Sequence, residues 1–98
     1  MNIGLIAHDS KKTLMQNFCI AYRGILSKHE LYATGTTGRL IEEVTNLSIH
    51  KFLAGHLGGD VIRLCDMHNI PMATNLATAE IIILALDRGD LDWREMYK

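Results

Sequence analysis

Five consecutive residues, Thr34, Gly35, Thr36, Thr37 and Gly38, place three hydroxyls and two glycines between the apolar stretch LYA and the amphipathic stretch RLIEEV. A helix that starts here presents unpaired backbone N–H groups and the positive end of its dipole. Glycine lets an anion approach that backbone closely, and threonine adds donors. Lys12, at the equivalent turn one strand earlier, would add a full positive charge. The chemistry this set suits is phosphate binding. A plainer account is open beside it: Gly35 and Gly38 make a tight turn and Thr37 caps the helix. A second glycine-rich segment, GHLGGD, ends in a carboxylate, Asp60, and favours the phosphate account.

These residues need elements to hold them. Ile3–Ala7 is a short apolar run and reads as a buried strand. Ser10 is available to cap the helix that follows, in which Leu14, Met15, Phe18, Tyr22, Ile25 and Leu26 fall on one face. Leu31–Thr34 reads as a second strand, and Leu40, Ile41 and Val44 mark the inner side of a short helix whose outer, solvated side carries Arg39, Glu42 and Glu43. Ser48–Ala54 is a weaker strand. VIRLCDMHN reads as a helix with Val61, Leu64, Cys65 and His68 inward. IPMATN is a fourth strand with Pro71 near its start, where a missing N–H costs least. LATAEIIILALDRGD is an apolar helix that stops near Gly89, with Thr74, Asn75 and Thr78 best explained as its cap. Trp93 is expected to dock the polar tail on the body.

Strands alternating with helices predict a single three-layer α/β domain over residues 1–98, built on a parallel sheet of about four strands. Ligands of such sheets lie beyond the carboxyl ends of the strands, where HDSKK, TGTTG, GHLGGD and TNLATAE all fall. The chain has 98 residues, a net charge of −1, and 48% hydrophobic and 21% charged residues, so one ordinary globular domain is expected. No basic stripe points to nucleic acid. No uncharged run is long enough to cross a bilayer, and no signal peptide is seen, so the cytosol is the expected location. Cys19 and Cys65 lack metal-ligand spacing and read as reduced core residues. The methionines read as core filler.

Taken together, LIAHDSKK, LYATGTTG, GHLGGD and NIPMATNLATAE resemble methylglyoxal synthase, in family order and across both ends of the chain. The resemblance implies a parallel α/β sheet and a carbon–oxygen lyase that converts dihydroxyacetone phosphate to methylglyoxal and inorganic phosphate. It implies no metal or organic cofactor and a homo-oligomer, usually a hexamer. Carried over, Lys12, Thr34, Gly35, Thr36, Thr37 and Gly55 hold the substrate phosphate, His8 and Asp9 line the pocket with catalytic roles, and Asp60 is the catalytic base.

The chain also departs from that family. Asp60 is followed at once by VIRLCDMHNIP, where the family carries a further strand and helix of about thirty residues with the motifs DPL and PHxPD. The family histidine that serves as acid/base goes with that block. His56 and His8 are the candidates to replace it, against the simpler account that both are surface or pocket-rim residues. His29, His50 and His68 read as structural or solvated. Asp60 matches either the end of GGD or the end of PHxPD. Without the block, the last strand is expected beside the first, in order 3-2-1-4. That crossing spans about 14 Å, and GHLGG extended reaches about 16 Å, nearly taut. Two functions follow: a lyase impaired or not by the missing block, and a non-catalytic module that binds phosphate or a phosphometabolite on the same fold, as the regulatory domain of carbamoyl phosphate synthetase does. A shortened form of interest for its folding alone is a third account.

Overall fold

A computed structural model describes residues 1–52, 63 and 65–90. It falls into two compact units, Met1–Gly55 and His56–Lys98. In the first, β1 (Asn2–Leu5) leads through a 3₁₀ turn (Asp9–Lys11) into α1 (Lys12–Ala21) and the short α2 (Arg23–Leu26). Then come β2 (Glu30–Thr34), α3 (Gly35–Thr45) and β3 (Ile49–Phe52). In the second unit, Arg63 and residues 65–67 are helical, and α4 spans Leu76–Arg88. No helix of the described residues is long and apolar enough to cross a membrane.

The three strands form one parallel sheet in the order β1-β2-β3. Ile3 stands opposite Leu31, which stands opposite Ile49, and Leu5 stands opposite Ala33. Side chains alternate across a strand, so these residues share one face. On that face Leu5, Leu31, Ala33 and Ile49 are buried, with α1 and α3 supplying Cys19 and Ile41 to the same core. The other face carries Tyr32 stacked on His50 at 4.8 Å, and His50 Nε2 lies 2.8 Å from Glu30 Oε2. The apolar opening of the chain is therefore not a strand buried on both sides: Leu5 is buried, while Ile6 is 49% exposed.

The expected fourth strand is absent among the described residues: Ile70–Ala73 has no regular structure. The Ile70 N–H is spent on Cys65 O at 2.9 Å, closing the preceding helical turn. Pro71 has no N–H at all. Successive N–H groups of a strand point to opposite sides, so a ladder on either side would lack its first donor, and the described sheet keeps the order 3-2-1 without a fourth member. His68, expected inward, is exposed.

Helix α1 stops at Tyr22, whose ψ of 23° breaks the single helix expected as far as Leu26. The packed stripe runs through Met15, Phe18, Cys19, Tyr22 and Leu26, leaving Leu14 46% exposed. Burial pushes the Cys19 thiol up to about 12, which keeps it a protonated core residue rather than a nucleophile. Thr45 ends α3 by donating to Ile41 O at 2.7 Å and accepting from Leu47 N at 3.2 Å, and Arg23 Nε donates to Thr45 O. Asn46 then turns the chain with φ of 58°, a left-handed conformation that asparagine tolerates. Asn75 caps α4 by accepting from Thr78 N at 3.0 Å, and Gly89 closes it with φ of 82°. Both ends match the expectation from TNLATAE and the terminal glycine.

Glu42 is not part of a freely solvated helix face. Its Oε1 lies 2.6 Å from Lys51 Nζ, and its Oε2 accepts from Ile49 N at 3.1 Å. The Lys51 contact first, and the Ile49 N–H second, hold this carboxyl below its ordinary value of 4.5. A depressed carboxyl stabilises the fold above that value, and the contribution disappears as pH falls through the lower folded value. Glu42→Gln should therefore melt at a lower temperature than the parent at neutral pH. The gap should close on acidification below 4.5, as followed by circular dichroism. A gap independent of pH would show that the ion pair does not tie α3 to β3.

Candidate active site

The site grows from the turns at the carboxyl ends of β1 and β2. After β1 the chain runs through Ala7 and His8 into the 3₁₀ turn, which His8 O closes by accepting from Lys11 N at 2.9 Å. Lys12 is the first residue of α1, and its side chain, 16% exposed, reaches back across the turn. The ammonium donates to Ala7 O at 3.1 Å and to Thr37 Oγ1 at 2.9 Å. Asp9 Oδ1 lies 3.6 Å away, but its carboxylate is fully exposed. A largely enclosed ammonium thus rests on a carbonyl and a hydroxyl, with only a solvated carboxylate nearby. Such a charge is best satisfied by a further anion.

Helix α3 begins at Gly35, so GTTG is its first turn rather than a loop before it. Thr34, with ψ of 158°, is the N-cap residue, which replaces the expected cap Thr37. The Thr34 side chain makes no cap hydrogen bond; its hydroxyl donates instead to Thr37 Oγ1 at 3.3 Å. Thr37 is 1% exposed and joins Thr34 to Lys12. Because the cap oxygen is turned away, the first amides of α3 keep their donors for another acceptor. No acidic residue stands in that first turn to neutralise the dipole. Gly35 is half-buried at the start of the helix and Thr36 is exposed beside it. Ser10, expected to cap α1, lies within the 3₁₀ turn, and α1 has no side-chain cap.

Gly38 has a packing role. A Cβ there would lie 3.0 Å from Lys51 Cγ and 3.4 Å from Ile49 Cγ2, so the bare backbone lets α3 settle on β3. Gln16 carries no motif in the sequence, yet its Nε2 donates to Leu40 O at 2.9 Å. It lies one turn after Lys12, as Leu40 lies one turn after Thr37. The two bonds clamp α1 to α3 and fix the spacing of the two turns. That i,i+4 repeat of polar residues on an otherwise packed face was the available signal.

Thr37 is thus in direct contact with both Lys12 and Thr34, with Gly35 and Thr36 on the same turn and Asp9 on the adjoining one. His8 is exposed at the start of that adjoining turn. Gly55, His56, Asp60 and Trp93 lie outside the described residues. Among the described residues no three of His, Cys, Asp and Glu gather as metal ligands. The arrangement presents a cation, hydroxyls and uncapped helix amides to one small volume, which suits a tetrahedral oxyanion.

A scan against models of protein families finds no match. Comparison with curated proteins is more direct. The chain is 54% identical over 129 positions to the methylglyoxal synthase of Caldicellulosiruptor saccharolyticus, covering 98% of this chain and 92% of the relative. It is 50% identical over 131 positions to that of Alkaliphilus metalliredigens, covering 100% and 98%. With 131 aligned positions against 98 residues, some 33 positions of that relative have no counterpart here. Among solved structures, the crystal structure of methylglyoxal synthase from Elizabethkingia anophelis matches with a TM-score of 0.75 at 34% identity, over 84% of this chain and 76% of that one. By identity along nearly its whole length and by the parallel sheet it shares with that structure, the chain belongs to the methylglyoxal synthase family.

Proposed function

We propose that this chain is a cytoplasmic, homo-oligomeric carbon–oxygen lyase, its 98 residues forming one catalytic domain that converts dihydroxyacetone phosphate to methylglyoxal and inorganic phosphate. The observation that carries the proposal is the 2.9 Å contact of Lys12 Nζ with Thr37 Oγ1, which joins the HDSKK and TGTTG turns at one place. In this reading Lys12, Thr34, Thr36, Thr37 and the amides from Gly35 onward grip the phosphate, with Gly55 adding to them. His8 and Asp9 stand at the rim of the same site.

The reaction then needs one proton removed and one bond broken. Asp60 takes a proton from the hydroxyl-bearing carbon beside the carbonyl, giving an enediolate. A base must come within about 2.6–3.2 Å of that proton, and a rigidly held phosphate fixes the distance. The electron pair of the enediolate expels phosphate as its C–O bond breaks. Tautomerisation of the resulting enol gives methylglyoxal, so the atoms of the substrate are divided between the two products. His8 or His56 serves as the proton carrier between oxygens.

The shortfall of some 33 positions supports a second reading, a module that binds a phosphometabolite without turnover. One experiment separates the two. Methylglyoxal release from dihydroxyacetone phosphate is measured beside calorimetric binding of inorganic phosphate. Release together with binding is the expected result; binding without release would leave the module, and neither would remove the site.

A further inference from the structure

Arg39 is placed where its charge is not satisfied by the protein. It lies one turn into α3, and a helical side chain leans toward the N-terminus of its helix. Its Nη1 comes within 3.6 Å of the position a Cβ on Gly35 would take, so the guanidinium lies over the first turn of α3. That end of the helix carries the positive end of the dipole, the least favourable end for a cation. Glu43, four residues on, offers an i,i+4 ion pair that is not made, and Glu42 is engaged with Lys51. Among the described residues Arg39 has no ion pair or hydrogen bond. The same turn has an unused Thr34 cap and no acidic residue.

Two cations thus reach the first turn of α3: Lys12 from α1, with only the exposed Asp9 carboxylate 3.6 Å away, and Arg39, unpaired among the described residues, from within α3. We propose that Arg39 is a phosphate-binding residue of this site, its guanidinium supplying the second positive charge for a phosphomonoester dianion from the solvent side while Lys12 supplies the first from below. This rests on the phosphate site described above and adds a residue to it. The planar fork of arginine suits two phosphate oxygens at once.

The test is calorimetric titration of inorganic phosphate into the parent protein, Arg39→Gln, Lys12→Ala and Lys28→Gln. Lys28 is an exposed control that makes the same charge change beside the amino end of β2, at the opposite end of the strand from the site. Arg39→Gln should bind about tenfold more weakly at low salt, and the gap should narrow at high salt, because exposed charges are screened. Lys28→Gln should bind like the parent. With substrate, Arg39→Gln should raise KM about tenfold and leave kcat within about twofold, as for an interaction made equally in ground and transition states. If Arg39→Gln binds phosphate like the parent while Lys12→Ala does not, the role of Arg39 is overturned and the site stands. An equal loss in Lys28→Gln would reduce the effect to net charge and also overturn it. If the parent itself binds no phosphate, the site and the role of Arg39 fall together.

Discussion

Lys12→Ala is expected to weaken phosphate binding about a hundredfold or more while leaving the chain folded. A hydrogen bond to a charged group contributes about 1.5–3 kcal/mol. A cation about 4 Å from one anionic charge adds up to about 4 kcal/mol at the effective dielectric of a partly exposed site, before the cost of desolvation. A net loss of about 3 kcal/mol is therefore the central expectation, a little over a hundredfold. The fold has little to lose. Thr37 Oγ1 still accepts from Thr34, and the carbonyl of the half-buried Ala7 is freed to take a water molecule. Calorimetry with inorganic phosphate reads the first effect and thermal melting by circular dichroism the second. Binding within twofold of the parent would show that the ammonium faces no ligand. A collapse of melting temperature together with binding would make Lys12 a structural residue instead.

Asp60→Asn should separate catalysis from binding. Asparagine keeps the shape of the side chain and removes the base. Positioned general bases contribute about 10²–10⁴-fold, so methylglyoxal release should fall by that factor. Phosphate affinity should change little or improve, because a negative charge near the anion is removed. The pattern is the reverse of Lys12→Ala, which loses binding first, so the pair of variants assigns the two roles independently. Undiminished release by Asp60→Asn would place the base elsewhere, with Asp9 the next carboxylate to replace. Substantial loss of phosphate binding in Asp60→Asn would mean that this residue shapes the phosphate site rather than attacks the substrate.

The order of the chemistry was readable along the chain. Alternating apolar runs and amphipathic stretches require parallel βα units, and such units deliver HDSKK and TGTTG to the same end of the sheet. Local signals were equally direct where the deciding interaction lies within one turn: Asn75 caps α4 through Thr78, and Gly89 ends it. The four motifs sufficed to point to the family. What failed was the reading of residues whose environment is made by distant segments. The series Thr34 to Gly38 does not reveal which threonine is the cap, because that depends on where the backbone leaves the extended region, and it leaves at Thr34. Thr37 became the buried link to Lys12 only once α1 lay against α3, 25 residues apart in sequence at that contact. Gly38 and Glu42 took their roles from β3, where the register of the sheet sets Lys51 and Ile49 against them. The strand expected at IPMATN was lost for a similar reason: its first N–H was already committed to the preceding turn, and the proline after it had none to offer. Composition and periodicity determined which residues are available for chemistry and on which face each lies. Contacts between segments far apart in the chain decided which of those residues meet, since a face specifies that it must be covered but not by what.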